Sequence, residues 1–224
     1  MKQNRVLDCD VLLFDLDGVL IDSTPCIIRH WREWSTAHGL DLDTVLASAH
    51  GVRTIETMRT VAPHLDVAAE AERFTAHEVA DTEGVTAIPG ADALLSSLPP
   101  DAWAIVTSAG RALAEARLRQ AFLPVPRILV SADEVARGKP APEPYLTGAR
   151  RAGCPADRCV VLEDAPSGVT AGRSAGIRVV GIAATHDRKV LLEAGATIVT
   201  DRLSRLCIME GEADFRLAIE VKAV

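Results

Sequence analysis

The sequence predicts a doubly wound α/β fold, a mostly parallel sheet covered by helices on both faces, with a helical insertion after the first strand. Three observations carry that expectation. Short apolar runs with β-branched residues recur down the chain, longer stretches of helical spacing separate them, and Gly153, Gly176 and Gly195 stand where helices should stop. Such alternation reads as right-handed βαβ units feeding a parallel sheet.

In chain order, the first strand is expected over 11–15 and the second over 103–107. A helix follows over 110–121, then a strand over 127–131 and a helix over 143–152. A strand over 159–163 leads to a helix over 166–175. A strand over 179–183, a helix over 188–194 and a weaker strand over 196–199 complete the series. Residues 22 to 88 break the pattern. No strand is expected there, but Ile27, Trp31, Trp34, Val45, Ile55, Met58 and Phe74 fall at helical spacing. Ile88-Pro89-Gly90 is a turn signature that returns the chain to the sheet. The expected organisation is a core domain of residues 1–20 and 89–224 and a helical cap of residues 21–88, inserted between them.

Charge narrows the function. The chain of 224 residues carries a formal net charge of −7 from 24 basic and 31 acidic residues. Between Ile21 and Ile88 there are 5 Arg and 11 acids, so the expected cap holds nearly all of the excess. An acidic chain with no basic run gains nothing from counterion release on a nucleic-acid backbone, so nucleic acid is not an expected partner. No membrane span and no signal peptide are expected, because no apolar run approaches the roughly 18 residues a span requires. Cys9, Cys26, Cys154, Cys159 and Cys207 make an odd count without a C-x-x-C pair, as expected of reduced thiols in a cytoplasmic protein. Lysine is scarce: only Lys2, Lys139, Lys189 and Lys222 occur, so residues 3–138 contain none.

The chemistry-bearing residues fall at strand ends. The first strand runs into Asp15-Leu16-Asp17-Gly18, a pair of acids at the mouth of a sheet where doubly wound folds bind ligands. One carboxylate can act as nucleophile and metal ligand while the other handles a proton. The second strand ends in Thr107-Ser108-Ala109-Gly110, a hydroxyl and N–H groups ahead of a helix; read alone, this is an ordinary N-cap, and read with the rest it is a phosphate cradle. After the third strand comes Gly138-Lys139-Pro140, which fixes one of the rare lysines in a Pro-rich turn. The fourth ends in Glu163-Asp164, adjacent acids that would repel each other without a cation, and Mg²⁺ favours such ligands.

This ordered constellation resembles the haloacid dehalogenase superfamily, specifically its phosphatases with a helical cap after the first strand of a Rossmann-like core. The resemblance implies that Asp15 is the nucleophile and a metal ligand. Asp17 would be the general acid and base, with its backbone carbonyl on the metal. Thr107 would hold the phosphoryl group, with Gly18, Ser108 and Ala109 beside it. Lys139 would neutralise the phosphoryl group and bridge to Asp15. Asp164 would bind Mg²⁺ directly, and Glu163 through water or by supporting the shell.

Within the superfamily, dehalogenases lack an acid two residues after the nucleophile, whereas this chain has Asp17. Phosphonate hydrolases form a Schiff base on a cap lysine, and the expected cap has no lysine. Hexose-phosphate mutases are the nearest alternative, but they carry a His ten residues after the second Asp, where this chain has Ile27, together with a cap lysine. A non-catalytic phosphoacceptor or metabolite-binding regulator on the same core is the alternative from another class. In the cap, His50-Gly51-Val52-Arg53-Thr54 makes His50 and Arg53 substrate-contact candidates, against readings as a helix C-cap and a surface charge. Trp31 and Trp34 read as cap packing, and Glu143 and Tyr145 as shaping the lysine loop. The His50-to-Thr54 run, followed by Gly138-Lys139-Pro140-Ala141-Pro142-Glu143-Pro144-Tyr145 and Glu163-Asp164-Ala165-Pro166-Ser167-Gly168, resembles the glycerol-phosphate and deoxysugar-phosphate phosphatases. The implied partner is a small phosphorylated metabolite, and the implied assembly a monomer or weak homodimer.

Overall fold

The structure is a computed structural model that describes residues 5–210 and 217–221. From β1 (Arg5–Cys9) the chain passes into β2 (Val11–Phe14), which is buried at every position. After β3 (Ile21–Asp22) come four helices in succession: α1 (Thr24–His38), α2 (Leu42–Ala49), α3 (Thr54–Val61) and α4 (Val67–Ala80). The chain returns through β4 (Thr86–Ala87), which pairs antiparallel with β3, Ile21 opposite Ala87 and Asp22 opposite Thr86. This ladder at the base of the four helices departs from the strand-free expectation for 22–88. Strands of two residues are too short for side-chain alternation to reveal.

The main sheet is assembled next. It takes α5 (Ala91–Ser96), β5 (Trp103–Val106), α6 (Arg111–Gln120), β6 (Leu129–Val130), α7 (Glu143–Arg151) and β7 (Cys159–Glu163). Then follow α8 (Pro166–Ser174), β8 (Arg178–Ile182), α9 (Arg188–Ala194) and β9 (Ile198–Thr200). The strand order is β6-β5-β2-β7-β8-β9, and every pair is parallel. Successive strands build outward from one side of β2 and then from the other, so the carboxyl end of β2 lies at the switch point where such sheets bind ligands. β6 is shorter than the expected 127–131, because Ser131 closes a capping box with Glu134 and turns the chain out of the sheet.

A second sheet was not foreseen. β1, β10 (Leu206–Glu210) and β11 (Leu217–Val221) form an antiparallel sheet in the order β1-β11-β10. Arg5, Val6 and Asp8 of β1 are exposed, so the strand lacks the apolar run that marked the others.

Packing follows the pleat. Leu12 and Phe14 of β2 join Ile105, Leu162 and Val180 in the core on one face, while Val11 and Leu13 join Val106, Val161 and Tyr145 on the other. The four helices have a core of their own, with Trp31, Trp34, Val45, Met58 and Phe74 buried and Ile27 and Ile55 packed against them. Trp31 meets Trp34 edge-on at 5.4 Å between centroids and lies 4.3 Å from Phe74, as the packing reading of the tryptophans requires. Asp41 and Asp66 cap α2 and α4 by accepting the N–H groups of Thr44 and Ala69.

Candidate active site

Asp15 stands one residue past β2, and Lys139 reaches it from the loop before α7. The Lys139 ammonium donates to Asp15 Oδ1 at 2.6 Å, to Glu163 Oε1 at 2.7 Å and to the Val106 carbonyl at 3.1 Å. It is fully enclosed, at 2% exposure. Glu143 holds the lysine loop by accepting the N–H groups of Ala136 and Arg137 at 2.7 and 2.9 Å, and the Lys139–Pro140 peptide is cis. The Tyr145 hydroxyl donates to Glu163 Oε1 at 2.8 Å, and its ring centroid lies 4.9 Å from the lysine nitrogen. The other Glu163 oxygen accepts the N–H groups of Asp164 and Ala165 at 3.0 and 3.1 Å. Both Glu163 oxygens are thus committed within the protein, so this residue anchors the lysine and the strand end. A Cβ at Gly168 would overlap the Glu163 carboxylate, which is why the first turn of α8 carries glycine there.

Carboxylate oxygens of Asp15, Glu163 and Asp164 lie within 4.8 Å of one another, and all three residues are buried. Burial pushes the Asp15 carboxyl up to about 7, against the pull of Lys139 and with the Glu163 charge adding to the rise. Asp164 is raised well above the carboxylate range by burial, then by Glu163 and Asp15. Burial works against the Lys139 charge, but Asp15 and Glu163 outweigh it and keep the ammonium protonated. One ammonium among three enclosed carboxylates leaves uncompensated negative charge on hard oxygen donors, a set that fits Mg²⁺. Gly18 has φ +83°, and a Cβ there would run into the Asp164 carboxylate, so glycine is required on both counts. Sequence reasoning missed Thr185, whose hydroxyl donates to Asp164 Oδ2 from the loop after β8. A second group, His30, His77 and Asp81, lies on the helical unit. There Arg29 donates to Asp81 at 2.9 Å and His30 lies 3.3 Å from the same oxygen, so a fixed guanidinium already fills the place of a cation.

A cavity of about 150 Å³ opens over these residues between the sheet mouth and the four helices. Asp15, Asp17, Gly18, Thr107, Ser108, Ala109, His50 and Asp164 all line it, so most of the expected site residues converge. Arg53 does not. Its guanidinium pairs with Glu56 and lies 3.4 Å from the Val135 and Ala136 carbonyls, tying the helical unit to the lysine loop. His50 caps α2 through the Leu46 carbonyl, 2.8 Å from Nδ1, while its ring meets His186 edge-on at 5.4 Å. The Ser108 and Ser167 hydroxyls both donate to the Gly51 carbonyl, at 3.0 and 3.3 Å, so Ser108 already has a partner across the cavity. Asp17 accepts at Oδ1 from Ser23 at 2.5 Å and from Arg117 at 2.8 Å. Neither donor was singled out in the sequence. Ser23 precedes α1 as its N-cap but makes no side-chain capping bond, so its hydroxyl is available to Asp17.

The model of the haloacid dehalogenase-like hydrolases matches residues 12–182, which spans β2, the four helices, the lysine loop and β8. The chain belongs to the haloacid dehalogenase-like hydrolases. Hexitol phosphatase A of Escherichia coli (strain K12) is 45% identical over 190 residues, covering 83% of this chain and 88% of that protein. Glycerol-1-phosphate phosphohydrolase 2 of Saccharomyces cerevisiae is 34% identical over 205 residues, covering 86% and 82%. Among solved structures, a hydrolase from Pseudomonas syringae superposes with a TM-score of 0.76 at 28% identity, covering 86% of this chain and 94% of that one. By this relationship the chain is a phosphatase. The dehalogenase-like hydrolase core accounts for Asp15, Thr107, Lys139 and Asp164 meeting at one sheet mouth.

Proposed function

We propose that this phosphatase hydrolyses phosphomonoesters of small polyols or sugars with the help of Mg²⁺, through a phosphoryl group carried on Asp15. The observation that supports this most directly is the Lys139 bridge between Asp15 and Glu163 beside Asp164. It supports the reading by setting a buried ammonium and two further carboxylates beside Asp15. Asp15 attacks phosphorus and the ester P–O bond breaks, with Asp17 giving its proton to the leaving alkoxide. Water then attacks the same phosphorus, Asp17 takes a proton from it, and the bond to Asp15 breaks to release phosphate and restore the carboxylate. Lys139 offsets the charge on the transferring group, and Thr107, which lines the cavity beside Asp15, holds a phosphoryl oxygen in this reading. Mg²⁺ on Asp15, Asp164 and the Asp17 backbone carbonyl, with Glu163 behind them, would supply further charge stabilisation.

The residues lining the cavity also support hydrolysis over isomerisation. Ile27 lines it at the position where the mutases carry histidine. An apolar wall of Ile27, Ile28, Trp31 and Leu46 suits a compact carbon chain. Cap closure over the 21–88 unit would exclude water during the first transfer. The test is a phosphate-release panel with Mg²⁺ over hexitol, glycerol, hexose and deoxyhexose phosphates and nucleotides. Hexitol or glycerol phosphates are expected to be turned over fastest. A strong preference for nucleotides, or conversion of a sugar 1-phosphate to its isomer faster than phosphate release, would overturn the reading.

A further inference from the structure

Arg117, on α6, is enclosed at 3% exposure, yet it lines the cavity. Its guanidinium makes two bonds to carboxylates that come from different parts of the molecule. One nitrogen donates to Asp17 Oδ1 at 2.8 Å. Another donates to Glu78 Oε1 at 2.8 Å, and Glu78, on α4, is itself 4% exposed. The third, Nε, has no partner among the described residues. Asp17 belongs to the loop beyond β2, and Glu78 to the helical unit that covers the site.

A buried ion pair of this kind is poor evidence of a stabilising device, because apolar residues of similar volume often do as well. It does fix direction. The guanidinium is a rigid planar fork, so the position of the nitrogen on Asp17 is set by where the other end of the fork is held. Glu78 holds that end. The second donor to the same Asp17 oxygen, Ser23, begins the first helix of the same unit. Both constraints on this oxygen therefore run to the helical unit.

We propose that Arg117 is a positioning residue for the proton-transfer carboxylate Asp17, and that its bond to Glu78 makes this positioning depend on the seating of the helical cap. The inference rests on the proposed phosphatase mechanism, in which Asp17 protonates the leaving alcohol. It adds that the cap contributes to proton transfer through a core residue as well as by excluding water.

The test uses the full chain with Mg²⁺, the alkyl phosphate it hydrolyses fastest, and p-nitrophenyl phosphate, whose leaving group needs no proton. The double variant Arg117→Met/Glu78→Gln removes the guanidinium without stranding an ionised partner on α4. It is expected to lower kcat on the alkyl ester by about 100-fold, the size of a general-acid contribution, with KM within about threefold of wild type. The first turnover of p-nitrophenyl phosphate, followed by stopped flow, is expected to stay within about threefold of wild type while the later steady state slows, because Asp17 is needed again when water attacks. Glu78→Gln alone is expected to show the same pattern with about a tenfold loss, and it carries the test if the double variant does not fold. An unchanged kcat on the alkyl ester would overturn the proposal. So would first turnovers slowed equally on both esters, the pattern of general disruption. Wild-type protein that releases phosphate from neither ester would overturn the phosphatase reading, and the inference with it.

Discussion

Two buried cations, each bridging two carboxylates, organise this molecule, and they differ in what they join. Lys139 connects Asp15 and Glu163 within the sheet mouth, with side-chain exposures of 9% and 1% on the two acids. Arg117 connects Asp17 to Glu78, at 23% and 5%, and so spans from the loop beyond β2 to α4. The first bridge stays at the mouth of the main sheet, around the proposed nucleophile Asp15. The second joins the loop beyond β2 to α4 and holds Asp17, the carboxylate proposed to move a proton. In the proposed mechanism, the nucleophile and the proton-transfer group are thus held by the same kind of ion cluster placed differently.

The largest effect is expected at Lys139. Lys139→Met leaves Asp15 and Glu163 buried without their cation, a loss of about 3–5 kcal/mol in stability. Activity should also fall by orders of magnitude. Arg117→Leu is expected to destabilise less, because Asp17 can turn partly to water. Urea unfolding of both variants checks the order, and an equal or reversed order would show that the two clusters are not distinguished by enclosure.

Those same two cations show what the sequence could reveal. Lys139 was legible because lysine is rare here and because Gly138 and Pro140 flank it. Arg117 was not, since arginine is abundant in the chain and its partners lie 100 and 39 positions away. The parallel sheet was legible from its fully buried strands, but the β1-β11-β10 sheet was not, because its pairing joins opposite ends of the chain and β1 alternates with exposed polar residues. Thr185 and Ser23 are single hydroxyls with no motif around them. Only the fold brings them to Asp164 and Asp17.

A milder perturbation sharpens the metal side of the first cluster. Thr185→Val removes the hydroxyl that orients Asp164 and should raise the Mg²⁺ concentration for half-activation by about tenfold, with kcat at saturating Mg²⁺ little changed. An unaltered Mg²⁺ requirement would show that Thr185 does not position Asp164 for the metal.

Beyond α4, Asp81 is held down to about 2, first by the Glu83 N–H and then by Arg29 and His30. Its folded pKa lies below the ordinary carboxylate value, so its stabilisation is complete above about pH 4 and is lost as pH falls towards 2. Thermal melting of Asp81→Asn should therefore show a lower Tm than wild type at pH 6, with the gap closing towards pH 2. A gap that stays constant would mean that the charge is not what Asp81 contributes. The smallest effect is expected at Arg53. Because its guanidinium bonds to Glu56 and backbone carbonyls outside the cavity, Arg53→Ala should change KM by less than about twofold. A large rise in KM would return Arg53 to the substrate.

The measurement that bears most directly on the central claim is the location of the phosphoryl group during turnover. Protein mixed with Mg²⁺ and a hexitol phosphate, quenched in acid within the first turnovers and digested, should carry one phosphoryl group on the peptide containing Asp15. Asp15→Asn should carry none while keeping its wild-type Tm. Phosphorylation of another residue, or undiminished phosphate release by Asp15→Asn, would contradict the account.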